Sequence, residues 1–139
     1  MRIDATEHWK SLVWAADKCQ VDSWPNDAVA LTVWHEENNR RAVFVFTDVD
    51  SEVTQVHIAA DGSNLWAHRD ILTRVKAFAF RARKWRIVYA KIAAKNKNVI
   101  IFALKSGFEI EARLRGGAAN GDDAIIMTLH PEKNPMKKE

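Results

Sequence analysis

The sequence predicts an α/β domain with one mixed β-sheet flanked by helices, and three observations carry that prediction. Ala28–His35 and Arg41–Thr47 are β-branched and aromatic runs separated by the polar stretch EENNR, which reads as a hairpin of two strands inside a covered sheet. Val53–Ile58 reads as a strand, residues 70–82 as a helix and Arg86–Ile92 as a strand again, a succession that demands a right-handed crossover between parallel strands. Val99–Leu104 is apolar all round and closes at Gly107, after which Phe108, Ile110, Ala112 and Leu114 alternate with Glu109, Glu111, Arg113 and Arg115. That pattern predicts a helix buried on every side, a left-handed stop and a strand with one face buried.

The remaining elements follow in order. Residues 4–20 place Trp9, Leu12, Val13 and Ala16 at i, i+3, i+4 and i+7, with Thr6 or Asp4 available as a cap, so a first amphipathic helix is expected to bury that stripe. VDSWPNDA is a turn-rich connector, because Pro25 disfavours helix at Trp24 and Asn26 and Asp27 favour turns. On Val53–Ile58, Gln55 and His57 share one face and Thr54, Val56 and Ile58 the other. In the helix after it, Ile71, Leu72, Val75, Phe78 and Ala79 face the core. Gly116, Gly117 and Gly121 mark a loop between two antiparallel closing strands, and residues 131–139 read as a frayed polar tail.

Composition narrows the function classes. At 139 residues and 47% hydrophobic, the chain suits one domain, residues 1–130, around one core. The longest apolar run, Val99–Leu104, is far short of the ~20 residues that span a bilayer, and MRIDATEHWK lacks a signal-peptide core, so a cytoplasmic protein without membrane contact is expected. The single cysteine, Cys19, excludes an internal disulfide, and five scattered histidines give no metal-ligand spacing. The interval 69–97 carries ten Lys or Arg against one acid, Asp70, which suits an anionic partner or a solvated face.

The order Asn96, Val99, Phe102, Gly107, Phe108, the charged strand, Gly121 and Met127 resembles the C-terminal half of the GCN5-related N-acetyltransferases (GNAT family). HIAADGSNLWAHRDIL with this ending resembles the small acetyltransferase-like proteins of tailed bacteriophages, and the resemblance spans residues 28–129. It implies a single-domain GNAT-like fold whose sheet is splayed beside the crossover, with acetyl-CoA as cofactor. By this resemblance, backbone at Val56, Ile58 and Ala59 holds the pantetheine arm, and Leu65, Trp66, Ala67, His68 and Arg69 hold the phosphates at a helix start. Asn96 matches the family's loop asparagine, and Phe102 completes the cofactor-binding set.

Two departures bear on catalysis. The phosphate loop has only Gly62 where the family spaces several glycines, and Ala103 stands where many members carry a proton-donating Tyr. Tyr89, the one tyrosine, becomes the substitute donor, and His57 the candidate general base, with Glu111 behind it. Trp24 falls where the family's acceptor opening lies.

The implied activity is transfer of acetyl to a primary amine, of a small molecule or a protein lysine, by direct attack, since Cys19 falls in the first helix, away from the cleft expected between the parallel strands. The competing class is a non-catalytic GNAT-fold phage protein, either a virion component or a host-protein binder. Nucleic-acid binding ranks third: Trp9, Trp34 and Trp85 fall in or beside amphipathic elements and are expected in the core, leaving only Trp24 and Trp66 in loops. The family resemblance also brings the expectation of a homodimer.

Overall fold

The computed structural model describes residues 2–36, 39–61 and 69–131. Its elements are β1 (Arg2–Asp4), α1 (His8–Cys19), β2 (Val29–His35), β3 (Asn39–Thr47), β4 (Val53–Ala60), α2 (Arg69–Ala77), β5 (Ile87–Ala93), α3 (Lys97–Lys105), β6 (Glu109–Leu114) and β7 (Ala124–Leu129). The strands form one mixed sheet in the order β1-β2-β3-β4-β5-β7-β6. Only β4 and β5 run parallel, joined by α2, so the expected hairpin, crossover and closing antiparallel pair are all present.

Two cores lie on opposite faces of the sheet. The α2/α3 face holds Val33, Phe44, Phe46, Val56, Val88, Ile125 and Met127, and the α1 face holds Ala28, Ala30, Val43, Val45 and Ala59. α2 runs on into a π-helical turn, Phe78–Ala82, in which the Arg83 N–H reaches the Phe78 carbonyl at 2.9 Å. There Phe46, Phe78 and Trp85 pack at ring separations of 5.0 to 5.8 Å, and the Trp85 indole donates to the Val49 carbonyl.

Three expectations about which face is buried are corrected. On α1 the buried residues are Ser11, Leu12 and Ala15, whereas Trp9 and Val13 are 72% and 73% exposed. The reason is the alanine-rich surface beneath: a helix resting on Ala28, Ala30 and Ala59 lies close, and small side chains fit the contact while large ones are left outside. Buried Ser11 is satisfied, accepting from the Thr32 hydroxyl at 2.7 Å and from Arg40 at 3.0 Å. Neither Thr6 nor Asp4 caps α1. The Asp4 carboxylate instead accepts from the Thr6 backbone N–H and hydroxyl and from the Trp34 indole, tying the three-residue β1 to β2.

The other two corrections concern the far edge. α3 is covered only on the side of Ala103, with Ile100 and Phe102 partly buried, while Val99, Ile101 and Leu104 face solvent. β6 is exposed along its whole length, Ile110 at 56% and Leu114 at 50%, because it is the outermost strand with no layer beyond it. A bulge between Ile110 and Ala112 also breaks the alternation. The helix stop is as expected: Gly107 adopts φ +104°, its N–H bonds to Leu104 and the Phe108 N–H to Ala103, the paired bonds that close a helix at a left-handed residue. Trp34 and Trp85 are buried as expected, and the tail beyond residue 131 lies outside the described residues.

Candidate active site

The sheet is forked. β4 and β5 pair in parallel only at Val53–Ile87, Thr54–Val88 and Gln55–Tyr89, although β4 continues to Ala60 and β5 to Ala93. Beyond Gln55 each strand keeps its other neighbour, β4 against β3 to Ala60 and β5 against β7 to Ala93. The two halves of the sheet therefore part company at this point.

Hydrogen-bond alternation shows which backbone groups line the fork. The Asp61 N–H bonds to the Arg41 carbonyl, which fixes the β3–β4 ladder so that Ala59 and His57 turn their backbone groups towards β3. Val56 and Ile58 turn theirs the other way. On the β5 side, the Ala94 N–H bonds to Asp123, which by the same alternation directs the backbone of Lys91 into the fork. The carbonyl of Val56 and the N–H and carbonyl of Ile58 thus face Lys91 with no strand partner between them. Of the three residues expected to hold a pantetheine arm, Val56 and Ile58 present their backbone to the gap and Ala59 does not, since its own is bonded to β3.

On the α2/α3 face of the sheet lies a small apolar slot of about 40 Å³, walled by Phe44, Val56 and Ile58 of the sheet, Leu72 and Val75 of α2, and Phe102 of α3, and reaching β5 only at Val88, within the paired stretch. On the α1 side lies a polar cluster. His57 Nε2 is 3.3 Å from the Thr47 hydroxyl, and its ring meets the edge of Trp24 at 5.1 Å. Trp24 is itself anchored, its indole donating to the Leu12 carbonyl at 2.9 Å. The Tyr89 hydroxyl reaches Gln55 Oε1 at 3.4 Å, at the root of the fork.

The electrostatics follow from this placement. Burial, then the charge of Lys91, lowers the His57 pKa, opposed by Asp48, so the imidazole is neutral at pH 7. Burial, then Asp48, raises that of Tyr89, so its phenol keeps its proton. Burial likewise raises Cys19, and the Cys19 thiol contacts the Ile58 carbonyl at 3.9 Å. Cys19 thus stands at the fork and not away from it as expected, because the last turn of α1 ends over β4. Its neutral thiol is a poor nucleophile.

The other expected residues divide. Phe102 lines the slot, and Arg69 stands exposed at the first residue of α2. Asn96 precedes α3 at the end of β5, makes no side-chain cap, and lies outside the slot wall. Leu65, Trp66, Ala67 and His68 lie outside the described residues. Glu111 is on β6, with β7 and β5 between it and β4, and accepts from the Thr128 hydroxyl, so it is not part of this site. Ala103 is buried in the core of the α2/α3 face. Sequence reasoning missed Thr47 and Gln55, whose roles come from strand register: they face each other across β3 and β4.

The residues present fit the reactive end of acetyl-CoA in one respect, the Val56 carbonyl and the Ile58 N–H that face the fork without a strand partner. A seven-stranded mixed sheet, forked between its one parallel pair and spanned by a single crossover helix, defines the GNAT-like fold of the N-acetyltransferases. Solved structures of that fold superpose on the chain. A mutant form of the spermidine N-acetyltransferase SpeG of Vibrio cholerae matches with a TM-score of 0.69 at 18% identity, covering 94% of this chain and 80% of that one. A second mutant form of SpeG gives 0.70 at 16%, covering 89% and 74%. A dodecameric form of the same enzyme in an intermediate state gives 0.67 at 16%, covering 82% and 71%. At these identities the likeness is one of fold. No family profile matches the sequence, and no curated protein sequence matches it.

Proposed function

We propose that this chain is an N-acetyltransferase that moves acetyl from acetyl-CoA to a primary amine by direct attack. The observation that carries the proposal is the end of the parallel ladder at Gln55–Tyr89, which leaves the Ile58 N–H and the Val56 carbonyl facing an open fork. Acetyl-CoA, when bound, supplies the acetyl group as a thioester reactive towards amines. The backbone of Val56 and Ile58 would hold its pantetheine arm, with Leu72, Val75 and Phe102 flanking it, and Arg69 and Asn96 would serve its outer parts.

The amine arrives from the α1 side, where His57 stands. A neutral imidazole takes the proton that an ammonium acceptor must lose before it can attack. The Thr47 contact at Nε2 and the Trp24 edge fix its ring. The Tyr89 phenol at the root of the fork is the proton source for the departing thiolate. The likeness to spermidine acetyltransferases makes polyamines the first acceptors to test, ahead of lysine peptides.

The test is calorimetry with acetyl-CoA followed by a thiol-release assay against a panel of amines. Binding that weakens in Asn96→Ala and Arg69→Ala, with amine-dependent thiol release, supports the reading. No heat and no thermal shift at millimolar acetyl-CoA removes it. One observation favours a second reading, a non-catalytic phage module acting as a virion component or a host-protein binder: the position of the family's proton-donating Tyr is a buried alanine, Ala103. On that reading the thiol-release assay stays blank with every amine. A soluble chain in the cytoplasm suits either reading, and among the described residues no helix is long and apolar enough to cross a membrane.

A further inference from the structure

Among the described residues, Lys91 is the only lysine in any strand of the sheet. The parallel register fixes the level at which it stands. Gln55 and Tyr89 are the last paired residues of β4 and β5, and the contact between the Tyr89 hydroxyl and Gln55 puts their side chains on one face. Two residues further along each strand come His57 and Lys91, level with each other on that same face where the strands have parted. Val88, Ala90 and Ile92 of β5 pack on the opposite face, in the α2/α3 core.

α1 rests on β2, β3 and β4, and Lys91 on β5 is exposed. It forms no ion pair among the described residues, whereas Lys95, four residues on, is held by Asp122 at 3.0 Å. The other residues on its face of β5, Ile87, Tyr89 and Ala93, carry no charge, so the strand places its one cation opposite His57. A charge needed only to keep this open face wet would serve as well at Ile87 or Ala93. Lys91 instead stands beside the imidazole that takes the acceptor's proton, on the side from which an acceptor amine arrives, and its charge helps to keep that imidazole neutral.

We propose that Lys91 is an acceptor built into the chain: its ε-amine attacks the acetyl thioester held in the fork, and the protein acetylates itself at this residue. The inference rests on the acetyl-transfer reading. His57 takes one proton from the Lys91 ammonium, and the freed Nζ lone pair adds to the thioester carbonyl carbon. The C–N bond forms and the C–S bond breaks. Tyr89 gives a proton to the departing sulfur and is replenished by the second proton that Nζ loses in becoming an amide, so CoA leaves as a thiol and no oxidant or reductant is needed. Acetylation also removes the cation beside His57. Asp48 is then the charged group left acting on it, Tyr89 and Cys19 being neutral, and the imidazole titrates at higher pH.

The full chain, incubated near neutral pH with acetyl-CoA and no added amine, tests this by intact mass and peptide mapping, with acetyl-CoA binding measured by calorimetry on the same preparation. Lys91 is expected to gain an acetyl group at least about tenfold faster than Lys84, exposed ahead of β5 at the end away from the fork, because amine and thioester are held together. The rate constant should be independent of protein concentration. Lys91→Arg should abolish the modification, and His57→Gln should slow it by about a hundredfold or more. A second readout needs no turnover: by NMR titration without acetyl-CoA, the His57 pKa should be higher in Lys91→Gln, which mimics the acetylated side chain, than in the wild type. A protein that binds acetyl-CoA but modifies Lys91 no faster than Lys84 overturns the inference, while thiol release with added amines shows that the acetyl-transfer reading stands. A rate constant that rises in proportion to protein concentration overturns it too, since the amine and thioester then belong to different copies. Absence of acetyl-CoA binding removes the reading itself, and the inference with it.

Discussion

The thiol of Cys19 rests 3.9 Å from the carbonyl oxygen of Ile58, the residue whose backbone faces the open side of β4. A sulfur at the mouth of the fork invites a covalent route in which it carries the acyl group. Burial argues against this by holding the thiol protonated. Cys19→Ser is therefore expected to leave the rate of acetyl transfer within a few-fold of wild type, measured by thiol release. Loss of a true nucleophile costs on the order of 10⁶ in rate, so the two routes are far apart.

His57 should behave as a base with a depressed pKa. Removing it as His57→Gln is expected to lower kcat/KM by roughly 10² to 10⁴, the usual worth of a positioned general base. In the wild type the acidic limb of the pH–rate profile should lie below 6.5, because burial and Lys91 hold the imidazole neutral to lower pH than a free histidine. Lys91→Ala removes an opposing charge and should move that limb towards higher pH.

The same shift makes a stability prediction with a definite sign. The native state resists protonating His57 whereas the unfolded chain takes the proton at its ordinary pKa, near 6.5, so below that value the unfolded state binds more protons. This contribution to stability is fully present above pH 6.5 and is lost as the pH falls through the native pKa. Thermal unfolding between pH 7.5 and 5 should show a larger fall in Tm for the wild type than for His57→Gln, which has no proton to gain.

Ala103 offers a direct check on the missing tyrosine. Its side chain faces the core of the α2/α3 layer and is 5% exposed. Ala103→Tyr forces a large ring into filled space and should destabilise the protein by about 1–3 kcal/mol in urea unfolding. It should not raise the rate of acetyl transfer, because the fork already has a phenol at its root in Tyr89.

Much of this was legible in the sequence, and the limits have physical causes. Strand runs and the crossover at residues 53–92 are local patterns, and they placed the parallel pair correctly. The face that each element buries depends on what lies beneath it, which periodicity does not record. Trp9 and Val13 made a convincing apolar stripe, but the alanine surface under α1 favours Ser11 and Ala15. Ile110 and Leu114 alternated as though half-buried, yet position at the end of the sheet left them in solvent. The pairings at the fork, His57 with Thr47 and Cys19 with Ile58, arise from register and helix placement and have no signature in spacing.

Amide hydrogen exchange at Ile58, followed by NMR during titration with acetyl-CoA, tests the central claim most directly. With no strand partner, this N–H should exchange quickly in the free protein and slow by about tenfold or more as it gains a bound acceptor, while the amide of Ala59, already bonded to β3, changes little. An Ile58 amide that exchanges at the same rate with and without millimolar acetyl-CoA would contradict the account.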